Sequence, residues 1–274
     1  MKLKELLKDK LSEKELELVR SSFDVVGSIA IVEIDVKLKK KEKIIASALM
    51  QLNPHIKTVL KKSGIHYGVY RRQKLSYLAG VKTKISEHKE SGIRLLVDVE
   101  KCYFSSRLST ERLRIAQLIK PDEKILVMFS GVSPYPLVFA RNSKAEIIYG
   151  VELNPVAHKF AEKNVLANKF FNKIRLIRGD VRKVVPLMGL KFDRILMPMP
   201  KTAEEFLPVV FKASKKGTVV HFYDFGKEEE FDSIKDTILS ACKTAKKKCK
   251  ILRVVKAGAY SPGVFRVCVD FQML

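Results

Sequence analysis

From Lys124 onward, short β-rich runs alternate with stretches whose apolar residues recur every three or four positions. That alternation admits few architectures other than a parallel sheet with crossover helices. The runs are KILVMFS (124–130), EIIYGVEL (146–153), KIRLIRGD (173–180), FDRILMPMP (192–200) and GTVVHFYDF (217–225). They lack strict polar–apolar alternation, as strands covered on both faces do. Between them, 155–169 and 202–214 read as helices, with Asn154 and Thr202 placed as caps, and a charged helix is predicted near 227–247. CKILRVVKAGAY and GVFRVCVDFQM then flank Ser261-Pro262-Gly263, a turn that predicts a closing antiparallel hairpin. Five parallel strands plus the hairpin give a seven-stranded, Rossmann-like α/β sheet.

Upstream, FDVVGSIAIVEID (23–35) and SGIRLLVDVEKCYF (91–104) read as strands and KKKEKIIASALMQLN (39–53) as a helix. This predicts a small basic α/β domain over 1–108. Residues 105–122 read as a helix with Ser109 or Thr110 near its start and Pro121 beyond its end. Its part 109–122 is expected to connect this domain to the large one at 123–274. A chain of 274 residues with 46% hydrophobic content has room for two such cores.

The longest apolar runs, 124–132 and 217–223, fall far short of the roughly 20 residues a bilayer span needs. The N-terminal segment mixes acids and bases at helical spacing and lacks the features of a secretory signal, so a cytoplasmic protein with no membrane partner is expected. Cys102, Cys242, Cys249 and Cys268 form no CxxC pair and have no histidine at zinc-finger spacing. Reduced thiols and no metal are the expectation. The net charge of +23 is spread over both halves and points to a polyanionic partner or to a surface suited to heat or salt.

In an open parallel sheet, ligands lie beyond the carboxyl ends of the strands, where strand order reverses. The first strand ends in Phe129-Ser130-Gly131-Val132-Ser133-Pro134, whose small residues let a ligand approach the backbone. The second ends in Glu152, about twenty residues after the glycine, where a carboxylate can accept both ribose hydroxyls. The third ends in Gly179-Asp180-Val181, where the aspartate can accept an adenine amine. The GxGxxG of hydride-transfer enzymes is absent. The fourth strand ends Met197-Pro198-Met199-Pro200-Lys201, where each proline removes a backbone donor and stiffens the rim.

HYGVYRRQKLSYLAG, EHKESGIRLLVDVEKCYFSSRLSTERLRIAQLI, MFSGVSPYPLVFA, VELNPVAHKFAEKNVLANK and ILMPMPKTAEEFL together resemble the archaeal and eukaryotic tRNA guanine-37 N1-methyltransferase family, over about residues 23–274. YFSSRLSTER and its spacing to the glycine turn are the most specific parts of the resemblance. It implies a class I methyltransferase sheet, S-adenosyl-L-methionine as cofactor and the anticodon stem-loop of tRNA as partner, with the base at position 37 as acceptor; a monomer is expected. Phe129, Ser130, Gly131, Glu152, Asp180 and Val181 are the implied cofactor residues. The resemblance makes Glu111 the general base that removes the N1 proton and Arg71 the group that stabilises charge on O6. Tyr103, Pro198 and Pro200 are assigned to the base, and Arg72, Arg107, Arg112 and Lys201 to the RNA backbone. Read as plain structure, Glu111 pairs with Arg107 or Arg114 or caps its helix.

Three features depart from the family pattern. An aspartate at the end of the first strand and a second glycine in its turn are replaced by Val127 and Ser133, and Asn-Leu-Pro at the fourth strand by Pro198-Met199-Pro200. The N-terminal domain that grips the tRNA elbow in the family is not recognisable here, which puts elbow recognition in question. The changed fourth-strand rim keeps open a tricyclic wyosine precursor as acceptor, or transfer of the aminocarboxypropyl arm. Val127 and Ser133 keep open a basic tRNA-binding protein with a decayed cofactor site.

Overall fold

The computed structural model describes residues 2–199 and 202–274. The chain divides into two compact units, Met1–Lys89 with Arg94–Ser106, and Glu90–Ile93 with Arg107–Leu274.

The smaller unit opens with two short helices, α1 (Leu3–Leu6) and α2 (Glu13–Leu18), the second capped by Ser12. The run 23–35, expected as one strand, is two: β1 (Asp24–Val26) and β2 (Ile29–Val32) pair antiparallel about Gly27-Ser28. Gly27 has φ +55, and a Cβ there would lie 2.1 Å from the Glu87 carbonyl oxygen, so only glycine fits this turn. The expected helix 39–53 begins as a 3-10 turn at Val36–Lys41 and becomes α3 at Glu42–Leu52. This helix carries the chain from β2 to the parallel strand β3 (Thr58–Lys62), and β4 (Leu75–Gly80) completes a sheet of order β1-β2-β3-β4. Ile45, Ala46, Ala48 and Leu49 of α3 are buried, in clusters with Ala30, Val59 and Leu78 and with Leu7, Leu11 and Leu38. Each large apolar side chain so buried contributes roughly 1.5–3 kcal/mol. β5 (Ile85–Glu90) and β6 (Ile93–Asp98) form a separate two-stranded ribbon.

The first α-helix of the larger unit is α4 (Ser109–Gln117). The helix expected to connect two domains is therefore part of one of them, and Leu108 stands at its N-cap, with neither Ser109 nor Thr110 capping it. The strands are β7 (Lys124–Met128), β8 (Ile147–Glu152), β9 (Ile174–Arg178), β10 (Phe192–Met197), β11 (Ser214–Gly226), β12 (Cys249–Ser261) and β13 (Val264–Met273). They form one sheet of order β12-β13-β11-β10-β7-β8-β9, with the first five in sequence parallel and the terminal pair an antiparallel hairpin, as read from the sequence.

The crossovers are α5 (Pro134–Asn142), α6 (Pro155–Ala167), α7 (Val181–Leu187), α8 (Leu207–Ala213) and α9 (Phe231–Thr244). Asn154 caps α6, its carboxamide oxygen accepting from Val156 and Ala157. Thr202 caps nothing with its side chain; it sits at φ +57 before a 3-10 turn. Leu126, Met128, Val151, Ile195, Val220, Phe222 and Phe271 form the centre of a core with the apolar sides of α7, α8 and α9. Strand order reverses between β7 and β10, which places a crevice at the carboxyl ends of β7, β8, β9 and β10.

Candidate active site

The turn after β7 is strained at alternate positions. Phe129, Gly131 and Ser133 have φ of +56, +56 and +68. Two of these are not glycine, and left-handed backbone of this kind persists where surrounding structure enforces it, often at ligand sites. The turn is held by the next strand: Ser130 N donates to Val151 O at 2.9 Å, and Gly131 N to Glu152 Oε2 at 2.7 Å. Gly150 on β8 allows that approach, since a Cβ there would lie 3.1 Å from Ser130 Oγ. The hydroxyl oxygens of Ser130 and Ser133 are buried without a hydrogen-bond partner among the described residues. Orphaned polar atoms in a strained turn fit a polar ligand.

Glu152 Oε1 accepts Asn154 N at 2.7 Å, so the carboxylate spans two loops. Burial pushes its carboxyl above the usual range, against the backbone donors of Asn154, Gly131 and Leu153. A carboxylate has about four acceptor positions, so with these three backbone donors one position remains for a ribose hydroxyl. Asp180 caps α7 by accepting Arg182 N at 2.9 Å, and also takes the Arg182 side chain, Nη2 to Oδ2 at 2.7 Å. That pairing holds the Asp180 carboxyl below its usual range. The Arg182 guanidinium lies over the Phe206 ring, 5.3 Å from its centroid, and Phe206 meets Phe129 edge-on at 4.8 Å. Val181 is 3% exposed and its side chain belongs to the core, so only its backbone is available to a cofactor.

At the end of β10, Met199 N donates to Met197 O at 2.8 Å, closing a three-residue turn about the half-buried Pro198. The assignments to Pro200 and Lys201 fall outside the described residues. Val127 is fully buried core.

Glu111 on α4 is 5% exposed. Arg114 grips it from the next turn, Nε to Oε2 at 2.6 Å and Nη2 to Oε1 at 2.8 Å, and the Tyr223 hydroxyl donates to Oε1 at 2.5 Å. Burial pushes the Tyr223 hydroxyl well up, so it stays a donor. Burial alone would lower the Arg114 guanidinium, but Glu111 and Asp270 outweigh it and raise it further. Arg114 was one of the plain structural partners named for Glu111, and the pairing does occur.

Arg112, assigned to RNA, is instead 1% exposed. Its Nε and Nη2 meet the two oxygens of Glu90, each at 2.5 Å, and its guanidinium lies 5.8 Å from the centroid of the Tyr135 ring. A guanidinium so enclosed cannot reach a phosphate. Arg107 is exposed and Arg72 half-buried.

In the smaller unit, Arg71 lies over the Tyr103 ring at 6.0 Å, and His66 meets the same ring edge-on at 5.4 Å. Arg71 has φ +49, in a hairpin closed by Tyr67 N to Arg72 O at 2.8 Å and Arg72 N to Tyr67 O at 3.0 Å. His66 was not singled out from the sequence; its Nδ1 lies 3.0 Å from the Arg71 carbonyl oxygen, to which it donates.

Sequence reasoning also passed over a buried group on β11 and β13. His221, Cys268 and Asp270 place their ligand atoms within 4.8 Å of one another. Arg194 Nη1 lies 2.7 Å from His221 Nε2, while Arg114 and Arg253 reach Asp270 at 3.4 and 3.2 Å. Three guanidiniums make this a poor place for a cation.

A reversed parallel sheet with an acid at each of two strand ends and a strained small-residue turn at a third defines a nucleotide-binding, Rossmann-like protein. Two family models match the chain: the TRM5/TYW2 methyltransferase domain over residues 86–252 and the TYW2 N-terminal domain over residues 3–83. The chain belongs to the TRM5/TYW2 methyltransferase family.

It is 35% identical over 256 residues to tRNA (guanine(37)-N(1))-methyltransferase Trm5b of Pyrococcus abyssi, covering 92% of this chain and 75% of the relative. It is 29% identical over 277 residues to a tRNA(Phe) (4-demethylwyosine(37)-C(7)) aminocarboxypropyltransferase of Pyrococcus horikoshii, covering 99% of this chain and 96% of the relative. The crystal structure of Methanocaldococcus jannaschii Trm5 in complex with adenosine superposes with a TM-score of 0.83 at 31% identity, covering 99% of this chain and 78% of that one.

Proposed function

We propose that this chain transfers the methyl group of S-adenosylmethionine to the base at position 37 of tRNA, at N1 of guanine. The observation that carries the reading is the match to the guanine-37 enzyme of Pyrococcus abyssi, which extends over 92% of the chain. The solved relative that holds adenosine supports the cofactor class.

The residues present fit the cofactor. Glu152 would hold a ribose hydroxyl, Asp180 the adenine amine, and the Val181 backbone the ring edge. The partnerless hydroxyls of Ser130 and Ser133 offer polar contacts in the strained turn. When bound, S-adenosylmethionine supplies an electrophilic methyl group on a sulfonium. Glu111 is the proposed acceptor of the N1 proton. Arg114 and Tyr223 supply three donors to its carboxylate, which leaves one acceptor position, on Oε2. Arg71 and Tyr103, in the smaller unit, keep the roles the family resemblance gives them: charge stabilisation at O6 and stacking on the base. Arg72 and Arg107 are proposed phosphate contacts.

Among the described residues no helix is long and apolar enough to cross a membrane. A cytoplasmic, monomeric enzyme is the proposal.

A second reading has specific support. The TYW2 N-terminal domain model matches residues 3–83, and the aminocarboxypropyltransferase relative is covered over 96% of its length. Pro198 also stands where the family resemblance expects a carboxamide. On that reading the acceptor is a tricyclic base and the aminocarboxypropyl arm is transferred. Cofactor labelled separately in the methyl group and in the carboxypropyl arm decides between them, with tRNA carrying guanine or the tricyclic base at position 37. Methyl label on guanine-37 tRNA supports the first reading; arm label, on tricyclic tRNA alone, replaces it with the second.

A further inference from the structure

A buried chain of polar side chains crosses the larger unit, and the proposed reaction uses only its Glu111 end. Glu123 holds Arg194 through two bonds, Nε to Oε2 at 2.7 Å and Nη2 to Oε1 at 2.9 Å. Arg194 Nη1 meets His221 Nε2 at 2.7 Å. A guanidinium only donates, so Nε2 must carry a lone pair and the imidazole proton sits on Nδ1. That Nδ1 donates to Asp270 Oδ1 at 2.5 Å, where Cys268 Sγ also donates at 3.2 Å. Asp270 Oδ2 faces Arg253 Nε at 3.2 Å and Arg114 Nη1 at 3.4 Å. Arg114 is thus shared unequally by two buried carboxylates, gripping Glu111 closely and Asp270 at longer range.

We propose that Tyr223, Arg114 and Asp270 are positioning residues that set how firmly Glu111 is held, with Asp270 the acceptor to which the Arg114 guanidinium moves when Glu111 takes a proton. This rests on the reading of Glu111 as the base. In that step the N1–H bond breaks, the proton goes to the Glu111 carboxylate and the electron pair stays on the nitrogen; that nitrogen would bond to the methyl carbon as the carbon–sulfur bond breaks, its pair leaving with sulfur as a neutral thioether. A neutral Glu111 no longer attracts Arg114, while Asp270 still does. Asp270 suits the part, because the donors around it hold its carboxyl at about 2 despite its burial.

The groups facing Glu111 act in opposite senses. Arg114 of α4 and the Tyr223 hydroxyl of β11 donate to it and favour its anion. Asp270 of β13 opposes it through the arginine the two carboxylates share, while burial keeps the Cys268 thiol, the Tyr135 hydroxyl and His221 neutral. Removing the Tyr223 hydroxyl should make the carboxylate take a proton more readily. Neutralising Asp270 commits Arg114 wholly to Glu111 and has the reverse effect.

The test is kcat against pH on tRNA for the full chain and for Tyr223→Phe, Arg114→Lys, Asp270→Asn and Glu111→Gln. The acid limb should move up by about half a pH unit or more in Tyr223→Phe and Arg114→Lys, and down in Asp270→Asn. The Asp270→Asn plateau should fall about tenfold with KM for tRNA little changed, the effect expected of a weaker proton acceptor. Limbs that stay in place, or that all move together while Glu111→Gln is inactive, overturn the positioning proposal alone. Wild-type turnover in Glu111→Gln overturns the reading of the base and the proposal with it. If Asp270→Asn does not fold, the upward shift required of both other variants decides.

Discussion

Glu152 Oε2 accepts the Gly131 backbone N–H at 2.7 Å, so the acid at the end of β8 also fixes the strained turn after β7. One carboxylate thereby shapes the site and offers it an acceptor. Glu152→Gln leaves one acceptor oxygen for three backbone donors, and S-adenosylmethionine binding should weaken about 10- to 100-fold, the loss of one or two charge-assisted hydrogen bonds. Because burial raises the Glu152 carboxyl, the folded chain holds that proton more tightly than the unfolded one. The associated stability is full below the ordinary carboxylate value and is lost as pH rises through the folded one. Cofactor affinity has the opposite trend: it should fall on acidification while pH is still above the ordinary glutamate range. Calorimetric titration at a series of pH values checks this, with Glu152→Gln as the variant whose affinity stays flat.

Ser133 pays a conformational cost that glycine would not. At φ +68 a serine is strained by about 1–2 kcal/mol, and its buried hydroxyl has no partner among the described residues. Ser133→Gly should raise Tm by a few degrees in thermal melts without cofactor, net of the extra chain entropy of glycine. A fall in Tm would show that the hydroxyl makes a contact essential to the turn.

Arg112 and Arg107 should separate cleanly. Arg112→Ala removes the two-bond pair with the buried Glu90 carboxylate and should destabilise the chain by about 3–5 kcal/mol, whereas Arg107→Ala should cost under about 0.5 kcal/mol and instead weaken tRNA binding. Denaturant melts and tRNA titrations on both variants test this. An Arg112→Ala protein of full stability with weakened tRNA binding would restore the RNA role that its burial denies.

Much of the larger unit was legible because its strands are covered on both faces and read as short apolar runs between turn residues. The smaller unit was less so. Gly27-Ser28 lies inside an apolar run, and nothing local marks that run as a hairpin rather than a single strand. The glycine turn, Glu152 and Asp180 could be placed because strand ends fix their positions. The surroundings of Glu111 could not, since Arg112 finds Glu90 from 22 positions away and Arg114 finds Asp270 from 156 away. A signal did exist: His221 and Asp270 interrupt the strongly apolar runs GTVVHFYDF and VCVDFQM, and a polar group in a buried strand requires a partner.

Arg182 competes for Asp180. The cofactor's adenine amine would have to take the place of an exposed guanidinium, whose pairing solvent screens. Arg182→Ala should therefore tighten cofactor binding by no more than about fivefold, and Asp180→Ala should weaken it while also removing the cap of α7. Equilibrium dialysis measures both. Loss of binding in Arg182→Ala would mean that the arginine itself holds the cofactor.

The central claim is tested most directly by nucleoside mass spectrometry of unmodified tRNA carrying guanine at position 37, after reaction with S-adenosylmethionine and the wild-type chain or Glu111→Ala. The account predicts N1-methylguanosine at position 37 with the wild type and at most a trace with Glu111→Ala. No methylated nucleoside with the wild type, or equal amounts from both proteins, would contradict it.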